Sequence, residues 1–369
     1  MVKSGRLVFL DVFRGITIAA MILVNNPGSW NHVYRPLLHA DWHGCTPTDL
    51  IFPFFIFIVG VSIAIAIGKR KAQLDNHGPI IQKIIRRTLL IFLIGILLNL
   101  IPSFNFSTLR IPGVLQRIAV IYGITAFLFL KFNKRQLTYF GIGALFVYWI
   151  LMTWIPVPDG FPPNLDPETN IGAWLDRTLL NGHLWSQSEV WDPEGILSTL
   201  PALGTSIIGI LTGIWIKQSN NINKRLNGLF AVGTLLIFAG LVWGMFFPIN
   251  KNIWTSSYVL YTGGIGITCL AFIHWVMDIK FISKWATPFK IMGMNALFIY
   301  ILSGVIAKFT HRIPLSFEGE SVVLKQWIYL NLKTILDPTN ASLMYAIIKV
   351  SILCLVAWWM WKKQIFIKV

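Results

Sequence analysis

The chain has 369 residues, 55% of them hydrophobic and 12% charged, with a mean hydropathy of +0.65. Soluble domains carry about a quarter charged residues, so a soluble globular protein is excluded and an all-α, polytopic membrane helix bundle is expected. The net charge of +16 does not point to nucleic acid, because the basic residues lie between apolar runs, and Cys45, Cys269 and Cys354 are too dispersed for a disulfide framework or a CxxC metal motif.

The first apolar run, 7–26, follows Lys3 and Arg6 as a signal peptide would, yet it contains Asp11 and Arg14 and has no small-x-small cleavage site. It reads as a retained span. Ionisable groups inside a span cost roughly 2.5–3.5 kcal/mol each on insertion scales, so each is a functional candidate. Asp11 and Arg14, at i and i+3, share a helix face, which fits an ion pair and a site role equally. Asn25 and Asn26 close the run, where an amide either bridges helices or orients a carbonyl or sugar hydroxyl at a cavity mouth.

Next comes LHADWHGCTPTDLIFP, Leu38–Pro53, which gathers two histidines and two aspartates directly before a second apolar run. His39 and His43 have the i, i+4 spacing of zinc ligands, with Asp41 between them. No third ligand is evident, HEXXH is absent, and Gly44 and Pro47 break the helix, so no metal is expected. A histidine near neutrality can instead act as general base, with Asp41 or Asp49 fixing its tautomer. The plainer alternative is that His39 caps a helix or meets the headgroup region. Thr46 or Thr48 is placed to cap the second helix, Asp49 suits the positive end of its dipole, and Pro53 is tolerated near its start.

Further apolar runs at 48–68, 86–102, 113–131, 137–155, 196–216, 226–247, 255–277, 287–307 and 341–362 bring the expected spans to ten. All should be helical, because lipid offers no partner to an unpaired backbone group. Arg117, with Gln116 beside it, follows a Pro112-Gly113 helix start; its guanidinium could hold a phosphate or carbonyl oxygen, or pair with an acid such as Asp49. Asn295 in GMNAL again offers helix bridging or a ligand contact, and Lys349 reads as snorkelling or meeting a carbonyl. GGIG in the eighth run lacks the strand-turn-helix setting of a phosphate cradle and reads as a packing surface.

Counting Lys and Arg between spans puts eight on one side and twenty, including the termini, on the other. By the positive-inside rule both termini are expected in the cytoplasm and loops 27–47, 156–195 and 308–340 outside, in one transmembrane domain covering 1–369. Loop 156–195 holds seven of the fifteen acids and is expected to be a hydrophilic cap or a lid over a polar acceptor. Loop 308–340, with Trp327 and Tyr329, suggests an interfacial helix with aromatic anchors.

Several long motifs run in a consistent order: FRG at Phe13–Gly15, LVN ending at Asn25, HADWHGCTPTDLIFPFFIFIVG at His39–Gly60, RIPGVLQRIAVIYG at Arg110–Gly123, DPEGILSTLPALGT at Asp192–Thr205, PINKNIWTSSYV at Pro248–Val259 and GMNAL at Gly293–Leu297. Together they resemble the heparan-α-glucosaminide N-acetyltransferase family and its bacterial relatives. The resemblance implies a polytopic enzyme taking acetyl groups from cytosolic acetyl-CoA, as donor substrate, to the amine of a glucosamine across the membrane. It implies His39 as the active-site histidine, Asp49 as the motif's aspartate, Asn25 as the upstream asparagine, and Arg117 as a residue that helps hold the donor. Arg14, Asn26 and Asn295 complete the candidate donor-binding set, and Asp41 remains beside Asp49 as the orienting carboxylate. Lys69, Arg70, Arg86 and Arg87 are possible attractors for the phosphates of coenzyme A, although the orientation rule already accounts for their charge.

The implied setting is a bacterial inner membrane, and a homodimer is compatible with it. Lysosomal members add an N-terminal luminal domain that is not expected in this sequence, and His43 stands where the lysosomal comparison has asparagine. Direct transfer in a ternary complex, with His39 as general base, is the expected mechanism, and an acetyl-histidine intermediate with His39 as nucleophile is its alternative. The rivals are an amino-sugar or envelope-precursor transporter, with Asp11, Arg14 and Arg117 lining its path, and an acyltransferase of another envelope glycan or a lipid.

Overall fold

The computed structural model describes residues 7–73, 77–101 and 104–367. Lys3, Arg6, Lys368 and the end of the third predicted span at Pro102 lie outside the described residues. In chain order the helices are α1 (Val8–Val24), α2 (Ile51–Gln73), α3 (Gly78–Leu100), α4 (Val114–Lys131), α5 (Lys134–Trp154), α6 (Ile171–Leu180), α7 (Thr199–Gln218), α8 (Ile222–Gly244), α9 (Ser256–Asp278), α10 (Thr287–Met294), α11 (Ala296–Thr310), α12 (Leu324–Lys333) and α13 (Pro338–Lys362). The protein is a polytopic all-α membrane bundle, and each of the ten apolar runs is helical.

Among the described residues, seven helices are individually long and apolar enough to cross a bilayer. The ninth predicted span is not one straight helix: α10 and α11 meet at a 76° bend around Asn295. Two other predicted spans sit at the margin, since α1 has 17 residues and α3 carries Lys83, Arg86 and Arg87. In loop 308–340 the expected interfacial helix is α12, with Trp327 exposed and Tyr329 buried. It is preceded by an antiparallel hairpin of β1 (Pro314–Phe317) and β2 (Glu320–Val323) that apolar periodicity does not announce.

Small residues set the tightest crossings, as expected where helices must associate without water to drive them together. A Cβ on Gly60 of α2 would lie 1.9 Å from the Ser206 carbonyl oxygen of α7, and one on Gly209 would lie 2.1 Å from that of Phe57. Where α1 crosses α10, a Cβ on Gly293 would lie 1.9 Å from the Asp11 carbonyl oxygen. The GGIG glycines of α9 pack against three helices: Gly263 faces Ile208 of α7, Gly266 faces Phe54 and Phe57 of α2, and a Cβ on Gly264 would come within 2.6 Å of the Gly233 carbonyl oxygen of α8.

Helix alternation gathers the loops 25–50, 104–113, 155–198, 245–255 and 311–337 at one end of the bundle, together with α6, α12 and the hairpin. The basic clusters at Lys69–Arg70, Arg86–Arg87 and Lys131–Arg135 lie toward the opposite end.

Candidate active site

The segment before α2 is folded by its own polar residues. Thr46 and Asp49 form a capping box around the 3-10 turn Pro47–Leu50, so Thr46 is the cap, while the Thr48 hydroxyl donates to the Pro36 carbonyl at 3.1 Å. Asp49, 1% exposed, accepts through Oδ2 from the backbone N–H groups of Thr46 at 2.9 Å and Ala40 at 3.0 Å. Its other oxygen, Oδ1, takes Nδ1 of His39 at 2.6 Å. A carboxylate at Nδ1 makes that nitrogen the donor and leaves Nε2 with its lone pair outward. His39 is 45% exposed at this rim, so Nε2 is accessible. Asp41 is exposed, and the carboxylate on His39 belongs to Asp49. Burial, then the Asp49 charge, pushes the Cys45 thiol up to about 12, which removes it as a nucleophile near neutral pH.

Lys251, from the turn between α8 and α9, places Nζ 3.4 Å from Nε2 of His39. The two loops are fastened together: Gly44 N–H donates to the Ile249 carbonyl at 2.7 Å, Gly44 and Asn250 form a β-bridge, and Asn250 Nδ2 lies 3.3 Å from His43 Nδ1. His43 therefore belongs to the loop junction.

Behind this pair stands a charged cluster supplied by the long loop. Arg110 donates from Nε and Nη2 to Asp192, at 2.8 and 2.6 Å, and from Nη2 to Glu194 at 2.5 Å. Burial alone would lower the Arg110 pKa, but the two carboxylates outweigh it and hold the guanidinium well above its ordinary value. Burial likewise favours neutral Glu194, yet Arg110, Arg117 and Lys251 keep its carboxyl below the usual range. Arg117, 2% exposed, donates from Nη2 to the Gly195 carbonyl at 3.0 Å and to the Ser198 hydroxyl at 2.5 Å, and stacks 5.2 Å from the Trp254 ring. Its Nε and Nη1 are buried without a hydrogen-bond partner. Such orphaned donors are expensive in a native interior and suit an oxygen delivered by a ligand. Loop 156–195 is thus more than a cap, because its end fixes one edge of Arg117.

A cavity of about 450 Å³ runs between α1, α2, α3, α4 and α11. Toward the basic end it is bordered by Arg14, Arg87, Tyr122 and Ile367, and toward the His39 end by Met21, Phe55, Val114 and Tyr300. Tyr300 lies within electrostatic reach of Glu194 and Arg110. Arg14 bonds Asp11 Oδ1 at 2.9 Å and Ser62 Oγ at 3.0 Å, so the ion pair and the cavity wall are one feature.

The other sequence candidates have structural partners or stand apart. Asn26 accepts from Lys349 Nζ at 2.6 Å and donates to the Ile22 carbonyl, a bridge between α1 and α13. Asn295 donates to the Ile365 carbonyl at 3.0 Å and accepts from Ile367 N–H at 2.9 Å, which pins the chain after α13 beside the cavity. Asn25 is exposed at the C-cap of α1. Sequence reasoning left out Lys251, Arg110, Asp192 and Glu194; the available signal was that all four fall in polar stretches of the longest motifs. Among the described residues no three His, Cys, Asp or Glu side chains come together as a metal would need.

A family model described as heparan-alpha-glucosaminide N-acetyltransferase, catalytic, matches residues 6–242. Two curated proteins named heparan-alpha-glucosaminide N-acetyltransferase are similar over 355 aligned residues. The one from Mus musculus is 29% identical, with 81% of this chain and 53% of its own length covered. The one from Homo sapiens is 30% identical, with 80% and 52% covered. The chain spans about half the length of the curated relatives it matches.

Proposed function

Because this chain belongs to the heparan-α-glucosaminide N-acetyltransferase family, we propose that it is a membrane-embedded acetyltransferase carrying an acetyl group from acetyl-CoA to the amine of a glucosamine-type sugar. The observation that carries the reading is the His39–Asp49 pair, with Nδ1 held by the carboxylate at 2.6 Å and Nε2 facing an amine, Lys251 Nζ, at 3.4 Å. That is the arrangement of a general base.

The donor enters from the basic end, proposed to be cytoplasmic along with both termini, and its pantetheine arm follows the cavity past Arg14 toward Tyr300. Arg87 and its basic neighbours attract the phosphates. The sugar arrives at the opposite, outer end. As its amine attacks the thioester carbonyl, Nε2 of His39 takes the proton and Asp49 holds the imidazolium that forms. The unpartnered Nε and Nη1 of Arg117 are the donors best placed in chemistry to receive the developing oxyanion, with Asn25 a second donor at the rim. The C–S bond then breaks and the coenzyme A thiolate leaves with the proton held by His39. Direct transfer needs no covalent enzyme species. The proposed setting is a bacterial inner membrane, with a homodimer as a possible assembly.

The test is transfer of labelled acetyl from acetyl-CoA to glucosamine by purified protein, compared with His39→Ala. Absence of transfer to any amino sugar, or an undiminished rate in the variant, overturns the assignment.

A further inference from the structure

Lys251 holds a primary amine where the amine of an acceptor has to stand. Its Nζ is 3.4 Å from Nε2 of His39, the one imidazole nitrogen that Asp49 leaves free. No carboxylate lies within 4 Å of that Nζ among the described residues.

The turn that presents the lysine is tightly determined. Asn250, fully buried, accepts through Oδ1 from Ile253 N–H at 3.1 Å, and its own N–H donates to the Thr255 hydroxyl at 3.0 Å. Trp254, also fully buried, adopts φ +53°, a left-handed conformation that a bulky side chain accepts only when its surroundings impose it. Burial lowers the basicity of the Lys251 amine; Glu194 and Asp49 oppose this, and Arg117 and Arg110 reinforce it. More of the amine is therefore neutral and nucleophilic than in an exposed lysine.

We propose that, with acetyl-CoA bound and no acceptor present, the enzyme acetylates its own Lys251. The inference rests on the function proposed above. Neutral Nζ attacks the thioester carbonyl carbon, and as the C–N bond forms its surplus proton passes to Nε2 of His39. The tetrahedral intermediate collapses with loss of the C–S bond, and the departing thiolate takes the proton from the imidazolium. The products are Nε-acetyl-Lys251 and coenzyme A thiol. An amide is too poor a leaving group to be passed on to a sugar, so this is a terminal product and not an intermediate. The acetylated side chain occupies the space over Nε2, so modification inactivates the site, while a bound acceptor amine protects it.

Purified full-length protein in detergent is incubated with acetyl-CoA, with and without glucosamine, and acetylation is followed by intact mass and peptide mass spectrometry. The expected result is one acetyl group per chain on Lys251, accumulating in step with loss of transfer activity and suppressed by glucosamine. His39→Gln slows labelling about 10²-fold, the lower range for a general base. Lys251→Arg takes no acetyl at that position and loses no activity during preincubation. Lys280, at the opposite end of the bundle, reports uncatalysed acetylation.

Transfer to glucosamine in the same preparation with Lys251 unmodified, or modified no faster than Lys280, overturns the inference and leaves the proposed function standing. Labelling that ignores His39→Gln or glucosamine overturns it equally. Label recovered on His39 instead rejects it in favour of an acetyl-imidazole. Failure of both transfer and labelling removes the inference and the proposed function together.

Discussion

Asp49→Asn is expected to abolish transfer while leaving the fold almost intact, and the reason lies in which oxygen does what. Oδ2 accepts two backbone N–H groups, from Ala40 and Thr46, whereas Oδ1 faces only His39. An asparagine must therefore turn its oxygen toward the backbone donors and its NH2 toward His39. Nδ1 then becomes an acceptor, the proton moves to Nε2, and the base is lost without displacing the ring. General-base contributions of about 10²–10⁴ correspond to about 3–5 kcal/mol of barrier. The stability loss should stay near 1 kcal/mol, because the backbone donors keep a neutral acceptor. Initial rates at saturating acetyl-CoA and glucosamine, beside elution volume and melting temperature in detergent, separate the two effects. A folded Asp49→Asn protein retaining more than about a tenth of the wild-type rate refutes this assignment of tautomer and role. Asp41→Asn, altering an exposed carboxylate that does not bond His39, should change the rate less than about twofold.

Gly195→Ala places a Cβ 2.0 Å from Asp176 Oδ2 and disturbs the carbonyl that receives Arg117; overpacking of this kind costs about 1–3 kcal/mol, visible as a lower melting temperature. An unchanged melting temperature would show that the loop adjusts freely. Arg110→Met leaves Asp192 and Glu194 buried without their cation, at about 3–5 kcal/mol. Adding Asp192→Asn and Glu194→Gln should recover part of that loss, and no recovery would contradict the ion-pair account. Burial raises the Asp176 carboxyl to about 6, despite backbone N–H bonds from Ile196 and Asp192 that oppose the rise. A carboxyl raised above its unfolded value stabilises below the unfolded pKa, and that stabilisation fades as pH climbs through the folded one. Wild type should therefore lose up to about 3 kcal/mol relative to Asp176→Asn between about pH 4 and pH 7. Parallel stability curves for the two proteins would rule this out.

Hydropathy located the helices because in lipid each must satisfy its own backbone, a constraint that acts within one segment. The break at Asn295 escaped it, since a window average over 287–307 stays apolar across a bend of 76°. The short hairpin escaped for a similar reason, lying in a polar loop where period-two alternation over four residues carries little signal. His39 and Asp49 were legible because they are ten positions apart in one motif and the pair closes locally. Lys251 and His39 are separated by 212 positions, and Arg110 by 82 from Asp192 and 84 from Glu194. No periodicity links such residues, and only the packing of four separate loops brings them together. The pairing of Arg117 was equally illegible, since its hydrogen-bond partners are a backbone carbonyl and a serine 78 and 81 positions away rather than Asp49.

The bond pair between Asn295 and the chain at Ile365 and Ile367 has a practical side. Ile367 is both tethered by that amide and part of the cavity wall. A reporter or affinity module fused close behind Ile367 would sit beside the cavity through which the donor is proposed to enter and crowd the nucleotide head of coenzyme A. Fusions intended for kinetic work belong on a long flexible tether, and a short one placed there should raise the apparent KM for acetyl-CoA while sparing that for the sugar.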